Sequence, residues 1–171
     1  MSITLDPTNG ITAPMYGGAI ASNAVTPSVS MKNRIINGAM VFDQRNSGSA
    51  VSNANGYVLD RYTFDRIGAY SASSSSVQRS STAPAGFNYS ACYTVTTGGS
   101  DPGTTGGYRM VQTIEGYNVA DMLQGTSSAQ TFTLSFWVRS SLTGTFGGAI
   151  GNSAYNRTYP FTYTISSANT W

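Results

Sequence analysis

The feature that most constrains this chain is a nine-residue run, 131–139. In it Phe132, Leu134, Phe136 and Val138 alternate with Thr133, Ser135, Trp137 and Arg139. Successive side chains of a β-strand point to opposite faces, so a strict period of two puts one apolar and one mainly polar face on a strand. Tyr89, Ala91, Tyr93 and Val95 repeat the pattern against Ser90, Cys92, Thr94 and Thr96. Tyr159, Phe161, Tyr163 and Ile165 repeat it again, with Pro160 on the opposite face. Residues 34–42 are apolar on both alternating faces and read as a buried strand. Residues 57–67 read as a strand interrupted by Asp60-Arg61, 71–81 as a polar edge strand and 108–114 as another strand. A further strand runs through Phe146 and Ile150 after a turn at Gly144. Residues 44–56 and 98–107 are loops by their Asn, Ser, Thr and Gly content, with Asp101-Pro102-Gly103 as a turn. Only 115–124 reads as helix, a turn or two ending at Gly125. Roughly eight short strands joined by turn-rich spacers predict an all-β, antiparallel sandwich or barrel.

Composition narrows the function classes. Only 9% of the 171 residues are charged, against roughly 25% in an ordinary globular protein. The polarity is carried instead by 24 Ser and 21 Thr, beside 19 Gly and 11 Tyr. With no histidine, the usual triads, zinc sites and proton shuttles are excluded. The single cysteine, Cys92, excludes an internal disulfide. Without a histidine to activate it, Cys92 reads as inert. A net charge of +2 gives no reason to expect a nucleic-acid partner. No apolar run approaches the ~20 residues of a membrane span.

Residues 1–31 differ from the rest. Pro7, Pro14 and Pro27 recur among small and polar residues; proline fixes φ and removes a donor, so the segment is expected to be extended, not helical. Its apolar side chains, Ile3, Leu5, Ile11, Met15, Tyr16, Ile20 and Val25, follow no period that would fold it alone. It lacks the charge density of a disordered tail, and so reads as an arm ordered against a partner. No basic cluster precedes an apolar stretch at its start, so no secretory signal is read there. The composition is nonetheless that of an extracellular β-protein. A protein made in a cytosol and released by lysis, as virion parts are, satisfies both observations. Asn88-Tyr89-Ser90 and Asn156-Arg157-Thr158 fit the glycosylation pattern and are read as chance in that setting. Near the other end, residues 166–169 read as a turn and Trp171 as the opening of a strand that pairs back. The sandwich is therefore expected to be closed by further chain or by another subunit.

The string Lys32-Asn33-Arg34-Ile35-Ile36-Asn37-Gly38-Ala39-Met40-Val41-Phe42-Asp43-Gln44-Arg45 resembles the opening of a jelly-roll domain common in bacteriophage tail-fibre proteins, with its N-x-I-N-G pattern and a close near Q-R. Tyr57-Val58-Leu59-Asp60-Arg61-Tyr62 resembles the next block, with Tyr62 where that family usually has Trp. Gln112-Thr113-Ile114-Glu115-Gly116 and the run 133–139 resemble two later blocks, and Ala168-Asn169-Thr170-Trp171 the start of another. The resemblance spans 32–171. It implies a jelly-roll-like β-sandwich, similar to carbohydrate-binding modules, on a virion appendage. Residues 1–31 then correspond to the arm that fastens such a fibre to tail or baseplate proteins. It also implies a homotrimer, made in the host cytoplasm and placed on the phage tail, whose distal parts meet a host-surface glycan or protein.

The site expectations are modest. Trp137 breaks the rule of its strand by lying on the polar face with Arg139. It is a candidate for stacking on a sugar, for a subunit contact, or for packing inside the sandwich. Asp60 and Arg61 are expected to form a structural ion pair that fixes strand register. The acids Asp43, Asp60, Asp65, Asp101, Glu115 and Asp121 are too scattered to argue for a glycosidase pair, and no catalytic residue is assigned. No cofactor is expected; a structural calcium held by backbone carbonyls stays open, since no motif reveals one. The chain is read as a non-enzymatic structural protein. The alternative is a carbohydrate-binding module of a secreted bacterial polysaccharide-active protein.

Overall fold

The computed structural model describes residues 4–6, 10–12, 32–67, 73–98 and 107–171. The chain divides into two units, Met1–Arg34 and Ile35–Trp171. In the first, β1 (Thr4–Asp6) and β2 (Gly10–Thr12) pair antiparallel, with Leu5 opposite Ile11. Where an extended arm is expected over 1–31, the described residues are those of this short antiparallel pairing. The remaining arm positions of interest, Ile3, Met15, Tyr16, Ile20 and Val25, lie outside the described residues.

The second unit is built from β3 (Val51–Ser52), β4 (Gly56–Leu59), β5 (Tyr62–Ile67), β6 (Ser74–Ser80), β7 (Ser90–Thr97), β8 (Gly107–Val111), β9 (Gly144–Gly151) and β10 (Thr158–Ile165). Among the described residues strand far outweighs helix, so the protein is mostly β, and its sheets are antiparallel. One three-stranded sheet runs β3-β6-β7, another β4-β5-β8, and β9 and β10 form a separate hairpin. Met40, Val58, Leu59, Tyr62, Phe64 and Val77 form the buried cluster, with Ile35, Val51, Ala54, Tyr89 and Ala91 packed against it. Both three-stranded sheets contribute to it, β4 and β5 from one and β6 from the other.

Several elements depart from the sequence expectation, each for a local reason. Residues 34–42 are not a strand. Asn37 and Met40 have φ of 57° and 53°, a left-handed conformation no strand accommodates, and the Met40 amide donates to the Asn37 carbonyl at 3.0 Å. The apolar run is a loop that drops Met40 into the core while Val41 and Phe42 face solvent. Residues 57–67 are two strands, because Asp60-Arg61 is a hairpin tip. Leu59 pairs with Tyr62 across it, and Arg61 takes a φ of 75°. The serine-rich strand β6 is central, not an edge, lying between β3 and β7. Ser75 and Val77 in it, and Ser73 just before it, are buried. The helix expected over 115–124 shrinks to α1 (Gly116–Val119) and a 3-10 turn, Ala120–Met122, which ends at a left-handed Leu123. Most of the loop expected over 98–107 lies outside the described residues.

The hairpin β9–β10 follows its sequence pattern closely. Phe161, Tyr163 and Ile165 share one face of β10, with Tyr163 opposite Phe146 and Phe161 opposite Gly148. The Tyr163 and Phe146 rings stack at 5.9 Å. Phe161 lies across Gly148 so closely that a Cβ there would overlap its ring, so a side chain at 148 would have to displace that ring. Phe136 meets the same face, with its ring 5.1 Å from Tyr163 and 6.3 Å from Phe161.

The most strongly alternating run in the sequence, 131–139, pairs with no strand. Its period of two places Phe136 on the hairpin as expected, yet Phe132, Leu134, Phe136 and Trp137 are 45%, 40%, 49% and 60% exposed. Alternation encodes faces; a strand also needs a neighbour, and none of the described strands supplies one. Trp171 likewise belongs to no strand. Asn169, at a φ of 58°, turns the chain before it, and its amide donates to the Ser140 carbonyl at 2.6 Å.

Candidate functional site

The motif residues gather at the start of the second unit, where side chains bind backbone. Asn37, half-buried and left-handed, donates from Nδ2 to the carbonyls of Phe42 at 2.9 Å and Asp60 at 3.0 Å, and its Oδ1 accepts the Phe42 amide at 3.0 Å. The buried Asp43 accepts the amides of Asn46 at 3.2 Å and Gly48 at 2.6 Å, closing the turn that follows. Asn46 donates to the Val58 carbonyl at 2.7 Å. Gln112 of the segment after β8 treats Ile36 as a strand neighbour would: it accepts the amide at 2.9 Å and donates to the carbonyl at 2.7 Å. Arg79 donates to the Val41 carbonyl at 2.7 Å and lies over the Tyr89 ring at 4.3 Å. Each bond replaces a ladder bond that a looped segment forgoes. The result is a clasp of side chains holding 35–48 against the β4–β5 hairpin.

Asp60 and Arg61 do not pair with each other, which corrects that expectation. The Asp60 Oδ2 accepts the Gln44 amide at 2.7 Å, whereas the Arg61 guanidinium reaches Glu115 at 2.6 Å and the Thr113 carbonyl at 3.3 Å. As neighbours at a hairpin tip they diverge, and each ties the tip to a different segment. The Glu115 carboxyl is held below its ordinary range by backbone hydrogen bonding and then by the Arg61 side chain. Tyr62 is buried, and burial raises its phenol above the ordinary value while Gln112 draws it partly back.

Trp137 is not part of the buried cluster, which corrects the expectation of packing inside the fold; it stands 60% exposed. Arg139 is tied down, donating from Nε to the Asn169 carbonyl at 2.9 Å and from a terminal nitrogen to Asn169 Oδ1 at 3.4 Å. With Trp171 it borders a shallow hollow of about 160 Å³ that also touches Ser80, Thr82, Ser90 and Tyr93. Trp137 is absent from that lining, so the two residues paired by the sequence reading serve different surroundings. Ligand pockets generally hold about 300–1,000 Å³, so this hollow suits one small ring at most. Among the described residues no group of three or more His, Cys, Asp or Glu side chains converges. Cys92 is half-buried, with its sulfur 3.7 Å from the Thr94 hydroxyl.

Sequence reasoning missed Asn37, Asp43, Arg79 and Gln112 as a clasp. One signal was available: Asn37-Gly38 is a strong turn dipeptide that outweighs the apolar residues around it. No helix among the described residues is long and apolar enough to cross a membrane. No protein-family model, curated protein or solved structure matches the chain.

Proposed function

We propose that this chain is a structural, non-enzymatic virion protein: a tail fibre or fibre-like appendage fastened to the phage tail or baseplate through residues 1–31. The second unit is then a jelly-roll-like sandwich contributing to adsorption at the host surface. The observation that carries this reading is the imbalance of apolar surface. Among the described residues seven hydrophobic side chains are buried and eighteen large ones are exposed. Isolated soluble domains rarely leave extended apolar surface in water, and surfaces of this kind mark protein contacts. The clasp around Asn37 adds support, because the motif that resembles the fibre family is spent on bracing backbone and leaves no reacting group in view. Copies are taken to assemble as a homotrimer with other tail proteins, as the resemblance implies. Trp137 and the ring-sized hollow beside Arg139 are the contact candidates, for a neighbouring subunit and a host glycan respectively.

Deleting residues 1–31 tests the anchoring half of the proposal. The shortened protein is expected to keep the far-ultraviolet spectrum and cooperative unfolding of its sandwich while disappearing from purified particles. Normal incorporation of the shortened protein would overturn the anchoring role. Tight binding of an immobilised polysaccharide by the shortened protein, with no particle carrying the full chain, would favour the carbohydrate-binding module instead.

A further inference from the structure

We propose that the fold sorts two self-modification sites of this chain: Asn55-Gly56 stands open to deamidation in the native protein, and Asn37-Gly38 is masked from it by the clasp. In this reaction the glycine amide nitrogen attacks the carboxamide carbon of the preceding asparagine. A Cγ–N bond forms, the Cγ–Nδ2 bond breaks, and ammonia leaves with the glycine proton. Water then opens the five-membered imide at either carbonyl and leaves aspartate or isoaspartate. Glycine is the most permissive second residue, because no Cβ hinders the approach. A third such pair, Asn9-Gly10, has its asparagine outside the described residues.

The two described pairs stand in opposite surroundings. Ring closure needs a carboxamide free to swing onto the next nitrogen and a peptide plane free to turn. At Asn37 neither is free. Three hydrogen bonds hold its carboxamide to the backbone of Phe42 and Asp60. Its carbonyl accepts the Met40 amide at 3.0 Å, and that bond fixes the plane that also carries the Gly38 nitrogen. Ile35 crowds the glycine: a Cβ at Gly38 would meet the Ile35 Cγ2 at 3.1 Å, whereas nothing lies within 4 Å of the same position at Gly56. Asn55 is exposed between β3 and β4, and its side chain makes no hydrogen bond among the described residues. The products differ as well. At 37 an acid oxygen replaces the nitrogen that donates to the Phe42 and Asp60 carbonyls, so acceptor faces acceptor and a clasp that opens and reacts cannot close again. At 55 the new carboxylate stays in water. This sorting stands independently of the virion reading.

Peptide mass spectrometry of the full chain, held in warm, mildly alkaline buffer with and without urea, reads both sites at once. Cleavage after arginine places them on separate peptides, 35–45 and 46–61. In buffer alone, conversion at Asn37 is expected to run at least about tenfold slower than at Asn55, the least that three hydrogen bonds of ordinary strength impose on the open population. In urea the two are expected to convert at similar rates. Gln112→Ala, which frees the Ile36 backbone of its two bonds, is expected to speed conversion at Asn37 and leave Asn55 as it was. Asn37→Asp, the product, is expected to unfold at lower urea than wild type, and Asn55→Asp at the same urea. Asn37 keeping pace with Asn55 in buffer, or Asn55 converting only in urea, overturns the proposal. Asn37→Asp as stable as wild type overturns the claim that the clasp cannot close again. The wild-type comparison decides the matter if Gln112→Ala fails to fold.

Discussion

Phe64→Ala is expected to cost about 3–5 kcal/mol of folding free energy, the range for deleting a buried aromatic ring. Phe64 is 2% exposed and sits in β5, opposite Gly56 of β4 and Met110 of β8. Among the described residues the fully buried partners that share its burden are few, Met40, Val58, Leu59, Tyr62 and Val77, with half-buried side chains around them. Domain stabilities lie at about 5–15 kcal/mol, so losing this ring removes a large part of the margin. A urea titration of the two proteins measures it as a fall in midpoint at unchanged slope. Phe132→Ala, at a site 45% exposed, is the comparison and is expected to cost less than about 1 kcal/mol. Equal effects at the two sites would mean that the buried cluster is not what holds the second unit together.

The second large effect belongs to Asn37. Its side chain makes three hydrogen bonds to backbone, and its φ of 57° is a conformation that Asn tolerates and Ala does not. Asn37→Ala loses both contributions and is expected to destabilise by about 2–4 kcal/mol. Asn37→Gly loses the hydrogen bonds but relieves the backbone, and is expected to fall between wild type and alanine. Chemical denaturation of the three proteins gives the order. Alanine as stable as wild type would show the clasp to be incidental; alanine as stable as glycine would remove the backbone argument.

These two residues also mark what the sequence made legible. Phe64 lies in a run whose strand character is evident from its β-branched and aromatic content. Strands β7 and β10 could likewise be read from alternation alone, although in β7 the alternation gave the strand and not its buried face, since Tyr93 and Val95 stand exposed. Residues 34–42 could not be read that way, because an apolar run on both faces fits a buried strand and a core-plugging loop equally. The Asn37-Gly38 dipeptide was the discriminating signal. Asp60-Arg61 was visible as an interruption, but whether an interruption bends a strand or reverses it depends on what pairs across it. The bonds between Gln112 and Ile36 join residues 76 positions apart, and nothing local announces them. The run 131–139 was fully legible as to its faces. Its lack of a neighbour is a property of the assembled sheets.

The account rests on residues 1–31 being gripped by other polypeptides. Chemical cross-linking of intact particles, followed by mass spectrometry of the linked peptides, tests this most directly. The account predicts that links from the arm, through the amino terminus of Met1 or a photoreactive residue placed at Tyr16, lead to different virion proteins. Links confined to the arm itself, or leading only to residues 35–171 of the same chain, would contradict it.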